Sequence, residues 1–430
     1  MNVLQRWLIG LRERLSSSLY RNAFYLLGGT AITGAMGFLF WMGAARLMQA
    51  EDVGVATSVI ASSALAVTLS DLGMATAMIH FVNARYEQLA SIVNAITAGG
   101  WIFSMLAAIA LIIGVPLFAP NLAPVVAHPS TAVFIALFTV GNAILLLQDA
   151  TALALRRADY VFWRNIACNV ASPLLLIPAI QLFGDYRGLL LAYCLPNIVV
   201  CLVTGSAILP RLINGYRLLG SLDLPVVRDV VSYGIRSYLS NMLWGLPTFI
   251  LPILALNAID TAGAASFFVV WTIVNFVLII PRSVTLSLFV EGERNRGNLQ
   301  TIVVRTFGVT VAACLPPILL LWFAGHLLLG LFGKTYVNQT ILHLLLLSVI
   351  PFTMNSLCFI SLRVRARGLE LPWYCAFVLG CLLSSLWYFG QHSGEGLALG
   401  WLTGQGLGAL LALVLAAYAF WFAPQRVKYA

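Results

Sequence analysis

Charge is what this chain has least of. Asp, Glu, Lys and Arg make up 9% of its 430 residues, against about 25% in an ordinary soluble domain, and this excludes a water-soluble globule. Long polar segments are missing too: the longest, 210–230, reads as a linker rather than a domain. A membrane glycosyltransferase, polymerase or ligase would need a sizeable polar loop with paired acids or bases, so the chain is not expected to be an enzyme. The five histidines (His80, His128, His326, His343, His392) show neither metal-ligand spacing nor a neighbouring nucleophile, so no metal site and no catalytic residue are expected. All seven cysteines lie in apolar runs, where cysteine acts as a small hydrophobe, and no disulfide framework follows. Gly330-Leu-Phe-Gly333-Lys334-Thr335 ends like a phosphate loop but lacks the glycine spacing of one. The net charge of +9 is not gathered on one face, and no nucleic-acid partner is expected.

Apolar residues, at 61%, are what the chain has in abundance. Ala23 to Ala45 is uncharged over 23 residues, and at about 1.5 Å per residue that crosses a hydrocarbon layer of roughly 30 Å. Similar runs recur, and the periodicity predicts an all-α, polytopic membrane protein of about twelve spans: 22–46, 54–80, 92–117, 132–154, 163–183, 188–209, 233–257, 262–289, 302–325, 341–362, 373–390 and 396–422. With the N-terminus inside, the inner loops and ends hold 21 of the 24 Lys and Arg, leaving Arg46, Arg187 and Lys334 outside. Basic loops stay in the cytoplasm. Both termini are therefore expected there.

Weak matches at an offset of 208 to 209 residues suggest an internal repeat: Asp52-Val53-Gly54 with Asp260-Thr261-Ala262-Gly263, Arg156-Arg157 with Arg363 to Arg367, and Gly188-Leu-Leu-Leu-Ala-Tyr193 with Gly396-Leu-Ala-Leu-Gly-Trp401. The expected organisation is an interfacial amphipathic segment 1–20, a six-helix bundle 21–209, a cytoplasmic linker 210–230, a second bundle 231–423 and a tail 424–430. Both bundles would run the same way, related by a pseudo-two-fold along the membrane normal, a plan used by carriers that rock one half against the other. An aqueous cleft would then divide them.

Asp71 and Asp149 are acids deep inside predicted spans. An ionisable group there costs at least about 2.5–3.5 kcal/mol on insertion scales, so each should face a cavity or a partner. One reading gives them, with Gln148, a polar substrate or a coupling cation; the other gives them a structural bond to Arg156, Arg85 or the backbone. Arg282, after Pro281, has the planar fork that suits phosphate oxygens, or it snorkels to the surface. Arg21, Arg164, Arg236 and Arg305 stand near inner helix ends, where topology and anionic lipid account for them. Asn94, Asn165, Asn169, Asn197, Asn241, Asn275, Asn355 and Gln405 either join helices or solvate sugar hydroxyls.

The order of motifs resembles the polysaccharide-biosynthesis flippases of the Wzx type, in the superfamily that also holds the MATE multidrug exporters and the lipid II flippases. The resemblance is carried by Arg21-Asn22, Ala45-Arg46-Leu47 with Glu51-Asp52-Val53-Gly54, Asp71-Leu72-Gly73, Gln148 with Arg156-Arg157-Ala-Asp-Tyr160, and Leu331-Phe332-Gly333-Lys-Thr-Tyr336. It implies alternating-access movement of an undecaprenyl-pyrophosphate-linked oligosaccharide from the inner to the outer leaflet of a bacterial inner membrane, for surface or exopolysaccharide assembly. Arg21 and Arg282 would hold phosphate, and Gln148, Asp149 and Asn241 sugar or cation, with Asp71 a further candidate. No cofactor is implied beyond a coupling H+ or Na+, unless consumption of product drives the step. Partners would be the lipid-linked substrate, anionic lipids, and a glycan polymerase or glycosyltransferase. A cation-coupled drug exporter of the same fold, and a nonenzymatic scaffold for a glycan-synthesis complex, stay open as alternatives.

Overall fold

A computed structural model describes residues 18–84, 86–155, 157–259, 261–294, 299–365, 370–391 and 393–421. Among the described residues the chain is helix and turn throughout. Eleven helices are long and apolar enough to cross a membrane, and Ile32–Leu47 adds a shorter apolar one. The expected interfacial segment and C-terminal tail fall mostly or wholly outside the described residues. The main helices are α1 (Ser18–Leu47), α2 (Ala50–Asp71), α3 (Met74–Ala84), α4 (Leu89–Phe118), α5 (Pro129–Ala154), α6 (Ala158–Phe183), α7 (Tyr186–Val203), α8 (Leu224–Ala258), α9 (Thr261–Arg294), α10 (Leu299–Gly330), α11 (Gln339–Leu347), α12 (Val349–Arg365), α13 (Glu370–Phe389) and α14 (Gly394–Trp421).

Three predicted elements differ. The span 54–80 is two helices, because Leu72 (φ 47°) and Gly73 (φ 80°) take left-handed backbone between α2 and α3. A Cβ on Gly73 would sit 2.6 Å from the Gly234 carbonyl carbon, so backbone crosses backbone there. The span 341–362 is interrupted at Ser348, whose hydroxyl donates to Leu345 O and accepts the indole N–H of the buried Trp401. Residues 210–230, expected as a linker, are mostly fastened: α8 already begins at Leu224, and the strap before it lies on α4. Asn94 Nδ2 donates to Gly215 O and its Oδ1 accepts from Arg217 N, each at 2.8 Å. Trp101 Nε1 donates to Leu218 O at 2.9 Å. Burial pushes the pKa of Tyr216, in the strap, up to about 12.

The contacts group into two compact units. Unit 1 takes in the chain up to Ala44, Ser63–Val115 and Pro124–Tyr238; unit 2 takes in Ala45–Ser62, Pro116–Ala123 and everything from Leu239. In unit 1, α6 and α7 form a tight hairpin: Gly184 closes α6 in left-handed backbone, Asp185 caps α7, and a Cβ on Gly188 would lie 2.8 Å from Ala179 O. In unit 2, α13 and α14 form a comparable hairpin, where a Cβ on Gly396 would strike Phe389 O. The two glycines are those of the 208-residue repeat match, so that match marks the same local packing twice.

Unit 2 also explains two of the sequence motifs. Arg46 Nε donates to Leu331 O at 2.5 Å, joining Ala45-Arg46-Leu47 to Leu331-Phe332-Gly333. Gly54 abuts the Thr261 carbonyl so closely that any side chain would clash, while Ser58 Oγ donates to Gly54 O at 2.9 Å.

Candidate functional site

The break after α2 sets the geometry of Asp71. Its Oδ1 accepts from Ala75 N at 2.9 Å and its Oδ2 from Gly73 N at 3.2 Å, so the carboxylate caps α3 across the left-handed turn. A carboxylate at a helix start satisfies amides that have no intrahelical partner and sits at the positive end of the dipole. That is the structural one of the two readings open for Asp71.

Asp149 has a different partner from those the sequence suggested. Arg164, one turn and a half into α6, donates through Nη2 to Asp149 Oδ2 at 2.5 Å and to Asn165 Oδ1 at 2.9 Å. Arg164, first assigned to topology, therefore neutralises the acid inside unit 1. The pair lies against a cavity of about 200 Å³ bounded by α5, α6, α7 and Thr204–Ile208. Those five residues form a π-helical turn, and such turns recur at functional sites. Gln148, buried, donates from Nε2 to Cys201 O at 3.2 Å, just before the widened turn. Its Oε1, the Arg164 Nε and the Tyr216 hydroxyl are buried without a hydrogen-bond partner among the described residues. Gly205 makes room for this crowding, since a Cβ there would sit 2.9 Å from Gln148 Nε2. Gln148 and Asp149 both line this cavity, and Asp71 and these two all belong to unit 1.

Asn241 and Arg282 belong to unit 2, where aromatic rings connect them. The Arg282 guanidinium lies 5.6 Å from the centroid of the Phe352 ring, and Arg282 is exposed although it stands within the apolar span Thr261–Thr285. Trp244 stacks on Phe359 (4.9 Å, 21°) and leans on Phe352 (6.0 Å). One turn before Trp244, Asn241 Oδ1 accepts from Arg363 Nη1 at 3.3 Å. Phe352, Phe359 and Arg363, at i, i+7 and i+11, share one face of α12. The result is a strip with a guanidinium at each end and aromatic rings between. Guanidinium groups grip phosphate oxygens; Phe352 and Phe359 are buried, at 5% and 6% exposure, so the half-buried Trp244 beside an amide is the ring that suits a sugar's C–H groups and hydroxyls.

Trp244, Phe352, Phe359 and Arg363 were not singled out from the sequence, where an aromatic in an apolar helix looks like core. Arg21 falls in the first turn of α1, and its side chain is outside the described residues, as are those of Glu291, Glu293 and Arg236. Several amides taken as candidate lumen groups join helices or bond their own: Asn169 donates to Thr33 Oγ1 and Asn165 O, Asn355 donates to Gln405 Oε1 and accepts from Tyr374, and Asn197 and Asn275 bond the carbonyl four residues back. Within the Arg156-Arg157-Ala-Asp-Tyr160 motif, Arg157, Asp159 and Tyr160 form a local clasp, with Arg157 on both Asp159 oxygens and 4.3 Å over the Tyr160 ring; Arg156 lies outside the described residues.

With eleven long apolar helices and polar groups bonded inside them, the molecule is a multi-pass membrane protein, and its fold is that of the MOP superfamily. An inward-facing multidrug-resistance MATE family transporter matches with a TM-score of 0.70 at 15% identity, covering 92% of this chain and 97% of that one. The lipid II flippase MurJ in an inward closed conformation matches with a TM-score of 0.71 at 12% identity, covering 92% and 87%. A MOP superfamily transporter from Pyrococcus furiosus, described by a binding pocket of reversed polarity, matches at 0.65 and 14%, covering 93% and 94%. Among curated proteins none matches by sequence. The chain belongs to the polysaccharide biosynthesis protein family, whose model matches residues 19–291.

Proposed function

We propose that this protein is a flippase that carries an undecaprenyl-pyrophosphate-linked oligosaccharide across a bacterial inner membrane by alternating access, for assembly of a surface glycan. The observation that carries the reading is Arg282. It is an exposed residue on an apolar spanning helix, with its guanidinium over the Phe352 ring at the head of an aromatic strip, in a member of the polysaccharide biosynthesis protein family. A cation held inside a span costs at least about 2.5–3.5 kcal/mol, of which the Phe352 ring offsets about 0.5–2 kcal/mol. An anionic substrate group supplies the rest when it arrives. Phosphate at Arg282 would leave Trp244 and Asn241 for the sugars. The protein makes and breaks no bond in this scheme; a gradient of H+ or Na+, or removal of product by a glycan polymerase, drives the cycle.

The fold likeness to MATE transporters keeps a drug exporter as the competing reading. In cells lacking the gene, surface glycan should fall and lipid-linked precursor should accumulate on the inner side. Re-expressed Arg282→Gln should restore surface glycan at least tenfold less well than the native chain, with Arg282→Lys intermediate. Full restoration by Arg282→Gln would refute the phosphate role. Unchanged glycan with altered drug tolerance would replace the flippase by the exporter.

A further inference from the structure

A second cavity lies in unit 2 and takes no part in the strip at Arg282. Its volume is about 230 Å³, and α10, α12 and α14 wall it. Val303, Phe307, Leu357, Cys358, Ala412 and Ala416 represent its lining, which is apolar for nearly its whole length. At one end only, it becomes polar. There Arg365, near the C-terminal end of α12, and Gln300, near the N-terminal end of α10, complete the wall, and no carboxylate lines it. This is the end read from charge as cytoplasmic. Val304 and Leu413, also in the lining, are 58% and 51% exposed.

An apolar space of this size is a poor site for water, which needs two to four polar partners. Left empty, it forfeits dispersion contacts along every wall. A hydrocarbon chain restores them. The small side chains Ala412, Ala416, Cys358 and Ser361 provide the width, and the space has room for part of one acyl chain and for no second. The single lining cation then decides what the chain is attached to, because an arginine at the inner surface attracts an anionic headgroup. α12 separates the cavity from the strip: Met354, Cys358, Ser361 and Arg365 line the former, while Phe352, Phe359 and Arg363 form the latter.

From this geometry we infer a binding site for one anionic glycerophospholipid of the inner leaflet, with a single acyl chain between α10, α12 and α14 and its phosphate at Arg365 and Gln300. The membrane's own anionic lipid, rather than the substrate's carrier, is assigned here, and undecaprenyl phosphate is the competitor that tests the choice. The bound lipid would lie against the face of α12 opposite the one that presents Phe352, Phe359 and Arg363.

Native mass spectrometry of the purified full-length protein tests this, with phosphatidylglycerol and phosphatidylcholine of matched chains and undecaprenyl phosphate as competitor. One phosphatidylglycerol per chain should be retained in preference to phosphatidylcholine. Arg365→Gln should weaken it about fivefold, the worth of one arginine at an anionic lipid surface, and Arg365→Lys should weaken it less. Ala416→Trp, filling the cavity from an exposed position, should abolish retention, while Arg282→Gln should leave it unchanged. The unfolding midpoint of each variant without lipid separates loss of the site from loss of the fold; if Ala416→Trp does not fold, Arg365→Gln decides alone. Equal retention of the two phospholipids, retention indifferent to Arg365, or displacement by equimolar undecaprenyl phosphate would each overturn the assignment. None of these results bears on the glycan measurements at Arg282.

Discussion

Unit 1 and unit 2 hold their intramembrane charge in opposite ways. In unit 1, Arg164 and Asp149 neutralise one another at 2.5 Å, with side chains only 16% and 21% exposed. In unit 2, Arg282 is exposed and lies over an aromatic ring. A closed ion pair has its counter-charge built in and asks nothing of a ligand; once paired, its loss is felt by the fold. A guanidinium against a ring is only partly compensated, and its remaining field is available to a passing anion. The comparison teaches that the acids most conspicuous in the sequence find their partners within unit 1, while the partly compensated cation lies in unit 2.

The sharpest test of that contrast is to break the pair. Asp149→Ala strands a buried guanidinium and should destabilise the protein by about 3–5 kcal/mol, whereas the double change Asp149→Leu with Arg164→Met should recover most of it. Thermal unfolding in detergent reads both. If the double variant were fully stable yet inactive in glycan export, the pair would have to move from structure to function.

Next in size is the crossing at Gly73. A Cβ there meets the Gly234 carbonyl carbon at 2.6 Å and sits on a backbone with φ 80°, so Gly73→Ala should cost about 2–3 kcal/mol. Gly245, which has open space around a built Cβ, is the control, and Ala there should be neutral or slightly stabilising in the same unfolding assay.

On the unit 2 side the effects should fall on transport rather than on stability. Trp244→Ala should lower lipid-linked oligosaccharide export about five- to tenfold, in line with about 1–1.5 kcal/mol for an aromatic contact, and Trp244→Phe should recover much of it. Normal export by Trp244→Ala at native stability would leave the strip without a sugar-binding role.

The smallest expected change is at the strap. Asn94→Ala removes two side-chain bonds to the backbone of Gly215 and Arg217 and should cost about 0.5–1.5 kcal/mol. Amide exchange should rise in 213–223 before it rises elsewhere.

The residues legible in advance and those that were not differ for a reason visible at particular positions. Asp71, Gln148 and Asp149 stood out because a polar group in an apolar run must find a partner, but which partner depends on where α6 lies, and Arg164 is distant in the chain's local pattern from Asp149. Trp244 could not be told from core aromatics such as Phe352 and Phe359, which are buried against it, since only packing separates a half-buried ring from one that fills a gap. The break at Leu72-Gly73 was hidden because Asp-Leu-Gly inside an apolar run reads as a continuous helix until Gly234 is seen against it.

By itself, the sequence determined that this chain lives in a membrane as about a dozen helices. Apolar run length and scarcity of charge are properties of each segment alone, and the bilayer admits few structures that satisfy the backbone within a segment. Only the tertiary structure decided that Asp71 caps a broken helix, that Asp149 meets Arg164, that Arg46 holds Leu331, and that Arg282 faces a ring in the company of Trp244 and Asn241. Those pairings join residues from different helices, and which faces of two helices meet is fixed by how their side chains interlock rather than by the pattern of either one.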